Sequence, residues 1–525
     1  MSHVIGDRSE PILDVTIGDA LRTAASKWPD RVAFVDGDPL LEDGERWTFA
    51  DLLSISERTA RALLTRFSPG DHVAIWAANC PEWILLEFGA ALAGLTLVTA
   101  NPAFLGKELA FVLRQSRCRG LFVQDRFRER DLMEVVGGLR GELPDLREVV
   151  ALSSLKQFVG AQTNRRLPSV GSRDVAQIQY TSGTTGTPKG ARLTHRGIAN
   201  NARIYAQTIG AGVGDVWINP MPMFHTAGCG LATLGALQTG GSHVLLRHFD
   251  PESALALLER ERGTVMLSVP TILGRMLDHP SLGRRDLSTW RVTTLGGAPV
   301  PPELVRRAGA LGLKVAIGFG QTEASPYLTH TRPDDRNPQW ALTVGPPMAG
   351  TDIKIVDLTT LDTVPVGVIG EIWARGYSVM RDYFDQPEAT RAALDVENWL
   401  HTGDLGTIDD SGYCRVQGRL KDMIIRGGEN IYPREVEDVL FEHPEVADAS
   451  VVGVPDADWG EVAVAFIRLR LAGSSGEEDL VAFCRSRLAS FKVPRIWRFV
   501  EEMPQTASGK TQKFALLKRY LDEEV

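Results

Sequence analysis

The chain has 525 residues, 43% hydrophobic and 23% charged, so it is a folded protein too long for one ordinary core, and two or more domains are expected. Its 66 acidic residues outnumber 57 basic ones, and the net charge of −9 argues against a general nucleic-acid binder. Five scattered cysteines (Cys80, Cys118, Cys229, Cys414 and Cys484) form no C-x-x-C pair, which excludes a disulfide framework or a cysteine zinc site and suits a reducing compartment.

In chain order, Ile17, Leu21, Ala24 and Trp28 recur at helical spacing behind Thr16, and 31–35 reads as a strand. Thr48-Phe49-Ala50-Asp51 has the form of a capping box opening a helix with Leu52, Leu53, Ile55, Leu63 and Phe67 on one broad face. A strand over 72–76, a helix over 81–93, a strand over 95–99, a helix over 106–117 and a strand over 120–124 follow. Strands alternating with helices predict parallel, doubly wound sheets covered on both faces. The greasiest run, 83–98, is broken by Glu87 and is too short to span a bilayer comfortably. The first ten residues carry no basic flank with an apolar core behind it, so no signal peptide is read and a cytoplasmic protein is expected.

The alternating run 175–179 opens into Tyr180–Gly190, Y-T-S-G-T-T-G-T-P-K-G. Glycines, hydroxyls, one lysine and a proline predict a stretch that is neither helix nor strand interior. A strand opening into glycine amides, hydroxyls and a cation is built to hold phosphate oxygens. It is not the usual P-loop, which needs the lysine directly after the last glycine and a hydroxyl next, whereas Lys189 stands between Pro188 and Gly190. Strands resume at 216–218, 242–246, 264–268 and 292–295. From about Gly350 short alternating strands over 352–357 and 370–375 predict an antiparallel or barrel-like subdomain. Beyond Gly418 the pattern is α+β: strand 423–425, helix 433–441, strands 449–454 and 462–468, helix 477–488. The main boundary is placed between Arg419 and Asp422, giving domains 1–420 and 421–525.

Further motifs follow Tyr180–Gly190 in a fixed order. They are Met221-Pro222-Met223-Phe224-His225, Gly318-Phe319-Gly320-Gln321-Thr322-Glu323, His401-Thr402-Gly403-Asp404, Gly418-Arg419-Leu420-Lys421-Asp422 and Thr506-Ala507-Ser508-Gly509-Lys510. Together they resemble the adenylate-forming (AMP-binding) enzymes, which include acyl-CoA synthetases, firefly luciferase and peptide-synthetase adenylation domains. The texture of 423–433 is nearest the fatty-acyl and medium-chain acyl-CoA ligase branch. The resemblance implies an α/β fold: a large N-terminal domain of two doubly wound sheets plus a small β-barrel-like subdomain, with a small α+β C-terminal domain.

The chemistry so implied is ATP-dependent: a carboxylate attacks the α-phosphate of ATP with magnesium, releasing pyrophosphate, and coenzyme A then displaces AMP from the acyl-adenylate. By the same resemblance Thr181, Ser182, Gly183, Thr184, Thr185 and Lys189 would hold the outer phosphates, Thr322 the α-phosphate and Glu323 the magnesium. Phe319, standing where tyrosine is common, would stack on adenine, with Gly320, Gly297 and Ala298 letting backbone approach it. Asp404 would accept from the ribose hydroxyls, and Arg419 would reach the ribose or phosphate. His225 would orient the acid near the pocket gate, without acting as a base, because a carboxylate is already nucleophilic at neutral pH. Lys510 would meet the charge that builds during adenylation, Lys421 would be the hinge, and Gly427 and Gly428 would line the pantetheine path.

Phe224, Cys229 and Ala298 suggest an apolar acyl pocket. A short- or medium-chain fatty acid is the first expectation and an aryl or cyclic acid the second. An enzyme passing the acyl group to an amine or carrier protein stands as the alternative acceptor reading. A catalytically dead nucleotide binder is disfavoured by the joint presence of Thr322, Glu323, Asp404, Arg419 and Lys510.

Overall fold

The computed structural model describes residues 1–38, 44–160, 164–181, 188–470, 475–505 and 511–523. Two sheets dominate the N-terminal part. One has six strands in the order Lys189–Thr194, Val175–Thr181, Thr96–Ala100, His72–Trp76, Gly120–Val123, Glu148–Ala151, parallel except for the first, edge strand. The other has eight, with six parallel strands between the antiparallel edges Arg46–Thr48 and Tyr327–His330. Their parallel strands are nearly continuous apolar runs, as sheets covered on both faces require.

The helix Pro81–Ala93 begins on a proline, stops at Gly94 in the left-handed conformation (φ +67°), and buries every residue except Glu82. It packs on Phe49–Leu63, and Gly89 makes that crossing close, since a Cβ there would lie 2.6 Å from the Thr59 methyl. The expected capping box is present: Thr48 Oγ1 accepts from Asp51 N, and Asp51 accepts from Thr48 N. Such caps contribute about 1 kcal/mol.

Beyond Gly350 the expected antiparallel subdomain is a five-stranded open sheet, ordered His3–Val4, Thr351–Val356, Gly370–Gly376, Leu400–Ile408, Cys414–Arg419. Its two outer strands do not pair with one another, so the barrel-like part of the expectation resolves to an open sheet. Leu420–Asp422 is a single 3-10 turn, and a second α+β unit follows. That unit is a five-stranded sheet of Ile424–Arg426, Glu429–Ile431, Val446–Asp456, Gly460–Leu469 and Ile496–Phe499, covered by helices Pro433–Phe441, Glu477–Arg485 and Lys513–Glu523. It has its own core around Ile424, Val436, Leu440, Val451 and Ile467.

One local expectation is corrected. Tyr180–Gly190 is not irregular throughout: Tyr180 and Thr181 end one strand, Lys189 and Gly190 begin the next, and Thr181 faces Lys189 across an antiparallel pair. Strand pairing with 192–194 overrides the local turn composition at both ends.

Candidate active site

The turn carrying Thr322 and Glu323 is dictated by small residues. Strand Lys314–Gly320 runs parallel to Val292–Gly296, with Gly318 opposite Gly296. A Cβ on Gly320 would fall 1.9 Å from the Pro326 carbonyl oxygen, so only glycine lets the chain double back there. The doubling is closed by Gln321 N donating to that carbonyl at 2.9 Å and by a 3-10 turn, Thr322–Ala324. Ser325 is left-handed at φ +66°, held by its hydroxyl donating to Ser378 O at 2.7 Å. Thr322 and Glu323 are thereby buried at a strand's carboxyl end, where open α/β sheets place ligands. Gly297 (φ +75°) and Ala298 follow the neighbouring strand directly. Phe319 is half-buried and leans on the core rather than standing free.

The Glu323 carboxylate meets the hairpin. Its Oε1 accepts from the Tyr383 hydroxyl at 2.7 Å and, more loosely, from Thr181 Oγ1 at 3.4 Å. Lys189 Nζ lies 5.3 Å from the centroid of the Tyr383 ring. The structure thus gathers Thr181, Lys189, Thr322 and Glu323. Ser182, Gly183, Thr184, Thr185 and Lys510 lie outside the described residues.

Asp404 sits on the strand Leu400–Ile408 and is buried, in register with Arg419; its Oδ1 is 3.2 Å from Arg419 Nε. Gly403 takes φ +70°, and its N–H donates to Glu371 Oε1 at 2.9 Å, which fixes the bend that presents Asp404. Arg419 remains half-exposed, so its guanidinium holds Asp404 while keeping access to a ligand.

His225 opens a π-helix, Ala227–Leu234. Its Nδ1 accepts from Ala227 N at 3.1 Å, which fixes the ring and leaves Nε2 as the remaining polar atom; this is a positional arrangement. Such π turns occur frequently at functional sites. One turn on, the surroundings of Cys229 correct the apolar reading of that residue. Its sulfur lies 3.3 Å from Gln179 Nε2 and 3.5 Å from Gln177 Oε1, and Gln177 Nε2 donates to Glu87 Oε1 at 3.2 Å. A buried polar chain therefore runs from Glu87 to the π-helix. Burial pushes the Glu87 carboxyl well above the usual carboxylate range, and pushes the Cys229 thiol up as well.

Gly427 and Gly428 form the tip of the hairpin between Ile424–Arg426 and Glu429–Ile431, at φ +57° and +88°. Both positive φ values are what a two-residue hairpin turn demands. Gly427 packs on Trp459 of the same unit, its N–H donating to the Trp459 carbonyl at 2.8 Å. Lys421 is exposed on the connecting turn.

The residues present fit a magnesium nucleotide. Among the described residues no three His, Cys, Asp or Glu side chains converge, and Glu323, beside Thr181, is the carboxylate that would hold a magnesium whose other oxygens came from phosphate and water. Magnesium is bound in that manner. Beside Thr322, Gln321 Nε2 is buried without a partner among the described residues, a donor suited to a nucleotide acceptor.

Sequence reasoning missed Tyr383 and Gln321 as site residues. Gln321 lay within a quoted motif, whereas Tyr383 carries no local signal because its partner is sixty residues away.

The pattern of the AMP-binding enzyme family matches residues 21–384, and that of the AMP-binding enzyme C-terminal domain matches 435–510. The chain is 38% identical to YngI of Bacillus subtilis, whose name marks it provisionally as an acyl-CoA synthetase, over 97% of this chain and 98% of that protein. It is 36% identical to the mitochondrial medium-chain acyl-CoA ligase ACSF2 of Danio rerio, over 99% of this chain and 90% of the other. Among solved structures, ATP-bound MatB from Rhodopseudomonas palustris superposes with a TM-score of 0.87 at 29% identity, covering 97% of this chain and 99% of that one. Apo MatB, with the same identity and coverage, reaches 0.78. With its two sheets, its motifs and its full-length relatives in agreement, the chain belongs to the AMP-binding enzyme family.

Proposed function

We propose that the chain is an ATP-dependent acyl-CoA ligase acting on a medium-chain aliphatic carboxylic acid. The observation that carries this is the buried Thr322–Glu323 turn docked on the Thr181–Lys189 pair, with Asp404 and Arg419 as a separate grip. Relatives matched over nearly their whole length and named for acyl-CoA ligation support the reaction, and ACSF2 supports the chain length.

In the first half-reaction a carboxylate oxygen attacks the α-phosphorus of ATP, the bond to the bridging oxygen breaks, and pyrophosphate leaves. No proton moves in this step, so no general base is required, and His225 has only to orient the acid. Asp404 accepts from the ribose hydroxyls. Thr322 donates to the α-phosphate, while Thr181 and Lys189 face the outer phosphates. Magnesium held by Glu323 neutralises charge on the phosphates when bound. Lys510 supplies positive charge at the α-phosphate, and long-range positioning does the rest. In the second half-reaction the thiol of coenzyme A attacks the acyl carbon, the thiol proton is lost, and AMP leaves, with Gly427 and Gly428 flanking the pantetheine. The two domains meet at 420–421.

Five free, buried cysteines support a reducing compartment such as the cytoplasm. No helix among the described residues is long and apolar enough to cross a membrane.

The test is pyrophosphate release over a panel of straight-chain, branched and aryl acids, with and without coenzyme A. Coenzyme-A-dependent turnover that is highest for acids of medium length is expected. Turnover indifferent to coenzyme A, leaving bound adenylate, would overturn the reading.

A further inference from the structure

The segment 380–386 is tied to the glycine-rich hairpin along its whole length. Met380 N donates to Glu323 O at 2.7 Å, Arg381 N to Arg192 O at 2.9 Å, Arg192 N to Asp382 O at 2.9 Å and Phe384 N to Gly190 O at 2.8 Å. A bidentate Arg192–Asp382 ion pair and the contact of Gln386 Nε2 with Pro188 O at 3.5 Å extend the seam. Tyr383 is the residue of this strap that points into the site. Its backbone bridges Ala191, its N–H donates to Thr390 Oγ1 at 3.0 Å, and its side chain is 7% exposed.

We propose that Tyr383 is a positioning residue for the magnesium–ATP site, its hydroxyl holding Glu323 Oε1 so that the carboxylate's other oxygen faces the cation, while its ring face carries Lys189. The inference rests on the proposed role of Glu323 as the metal's carboxylate. The geometry is specific: the hydrogen bond is short, both partners are buried, and the strap fixes the Glu323 backbone and side chain from neighbouring positions. Thr181 reaches the same oxygen at 3.4 Å, so both donors leave Oε2 free of them. Hydrogen bonds that orient a metal-binding carboxylate typically change metal affinity 10- to 100-fold on removal.

The experiment uses the full chain and Mn²⁺ as probe. Free Mn²⁺ is followed by electron paramagnetic resonance in the presence of α,β-methylene-ATP, for wild type, Tyr383→Phe, Glu323→Gln and the double variant. Tyr383→Phe keeps the ring under Lys189 and removes only the donor. It is expected to weaken Mn²⁺ binding about tenfold. The double variant is expected to bind no more weakly than Glu323→Gln alone. The same Tyr383→Phe protein should unfold cooperatively on heating at the wild-type midpoint, which establishes that it is folded. Wild-type Mn²⁺ affinity in Tyr383→Phe, with Glu323→Gln impaired, overturns the role of Tyr383 alone. Wild-type affinity in Glu323→Gln removes the metal role of Glu323 and this inference with it. Loss of cooperative unfolding in step with loss of Mn²⁺ binding assigns Tyr383 to the fold, which also overturns the proposal.

Discussion

Asp404 is buried and pairs with Arg419, which is half-exposed. Two carboxylate oxygens can accept from both hydroxyls of a ribose, and alanine can accept from neither. Charged hydrogen bonds contribute about 1.5–3 kcal/mol, so Asp404→Ala is expected to raise KM for ATP by about ten- to a hundredfold. Steady-state adenylation at saturating acid checks this, and an unchanged KM would remove Asp404 from the nucleotide site. Glu87 poses the opposite problem, a carboxyl with Oε2 buried and without a partner among the described residues. Its pKa in the fold lies well above the usual 4.5, so between the two values the unfolded chain has lost a proton that the folded chain keeps. Stability from this residue therefore falls as pH rises above the ordinary carboxylate range. Glu87→Gln removes that slope while retaining an acceptor for Gln177. The variant is expected to gain on wild type as pH is raised from about 5 to about 8, the direction set by the proton that the folded wild type keeps and the unfolded chain loses. Thermal unfolding at both pH values reads it directly.

At the scale of elements, the site is two turns held together by a strap. Gly320 sets the first, because a side chain there would collide with the Pro326 carbonyl at 1.9 Å. Gly320→Ala is expected to move the Thr322–Glu323 turn and reduce the rate of pyrophosphate release about a hundredfold, the penalty for misplacing reacting groups by about 1 Å. A wild-type rate would show that the turn's position is immaterial. The alternation of apolar and turn residues made the strand at 72–76 and the helix at 81–93 legible to the residue, since each is a buried run with a proline or glycine at its end. The strand Lys189–Thr194 was not legible. Its first residues are glycine-loop residues, and only pairing with Val175–Thr181 makes them strand. Glu323, Asp404 and Arg419 were singled out by motif order alone. Tyr383 was not, because its meaning lies in a contact that sequence separation conceals. Cys229 was misread as apolar lining for a related reason: its polar partners Gln177 and Gln179 alternate on a distant strand.

At the scale of the whole molecule, the two proposed half-reactions would call different residues to one set of reacting atoms, and we propose the turn at 420–422 as the place where the chain pivots between them. The strand Cys414–Arg419 belongs to the sheet of the large unit, Ile424–Arg426 to that of the small one, and the intervening 420–422 is a single 3-10 turn with Lys421 exposed. Hinges are a few element-terminal residues that absorb a change in φ and ψ. Proline at 421 would lock its own φ near −65° and restrict Leu420 as well, so rotation would be opposed from two consecutive residues. Lys421→Pro is therefore expected to leave acyl-adenylate formation within about threefold of wild type and to slow thioester formation from presynthesised adenylate about a hundredfold, a barrier increase of about 2.7 kcal/mol. Lys510→Ala should do the reverse, since its ammonium answers charge that builds only during adenylation. Single-turnover assays of each half-reaction on each variant decide the matter. If both substitutions slow the same half-reaction, the small unit does not exchange its faces at the site, and one fixed arrangement has to serve both steps.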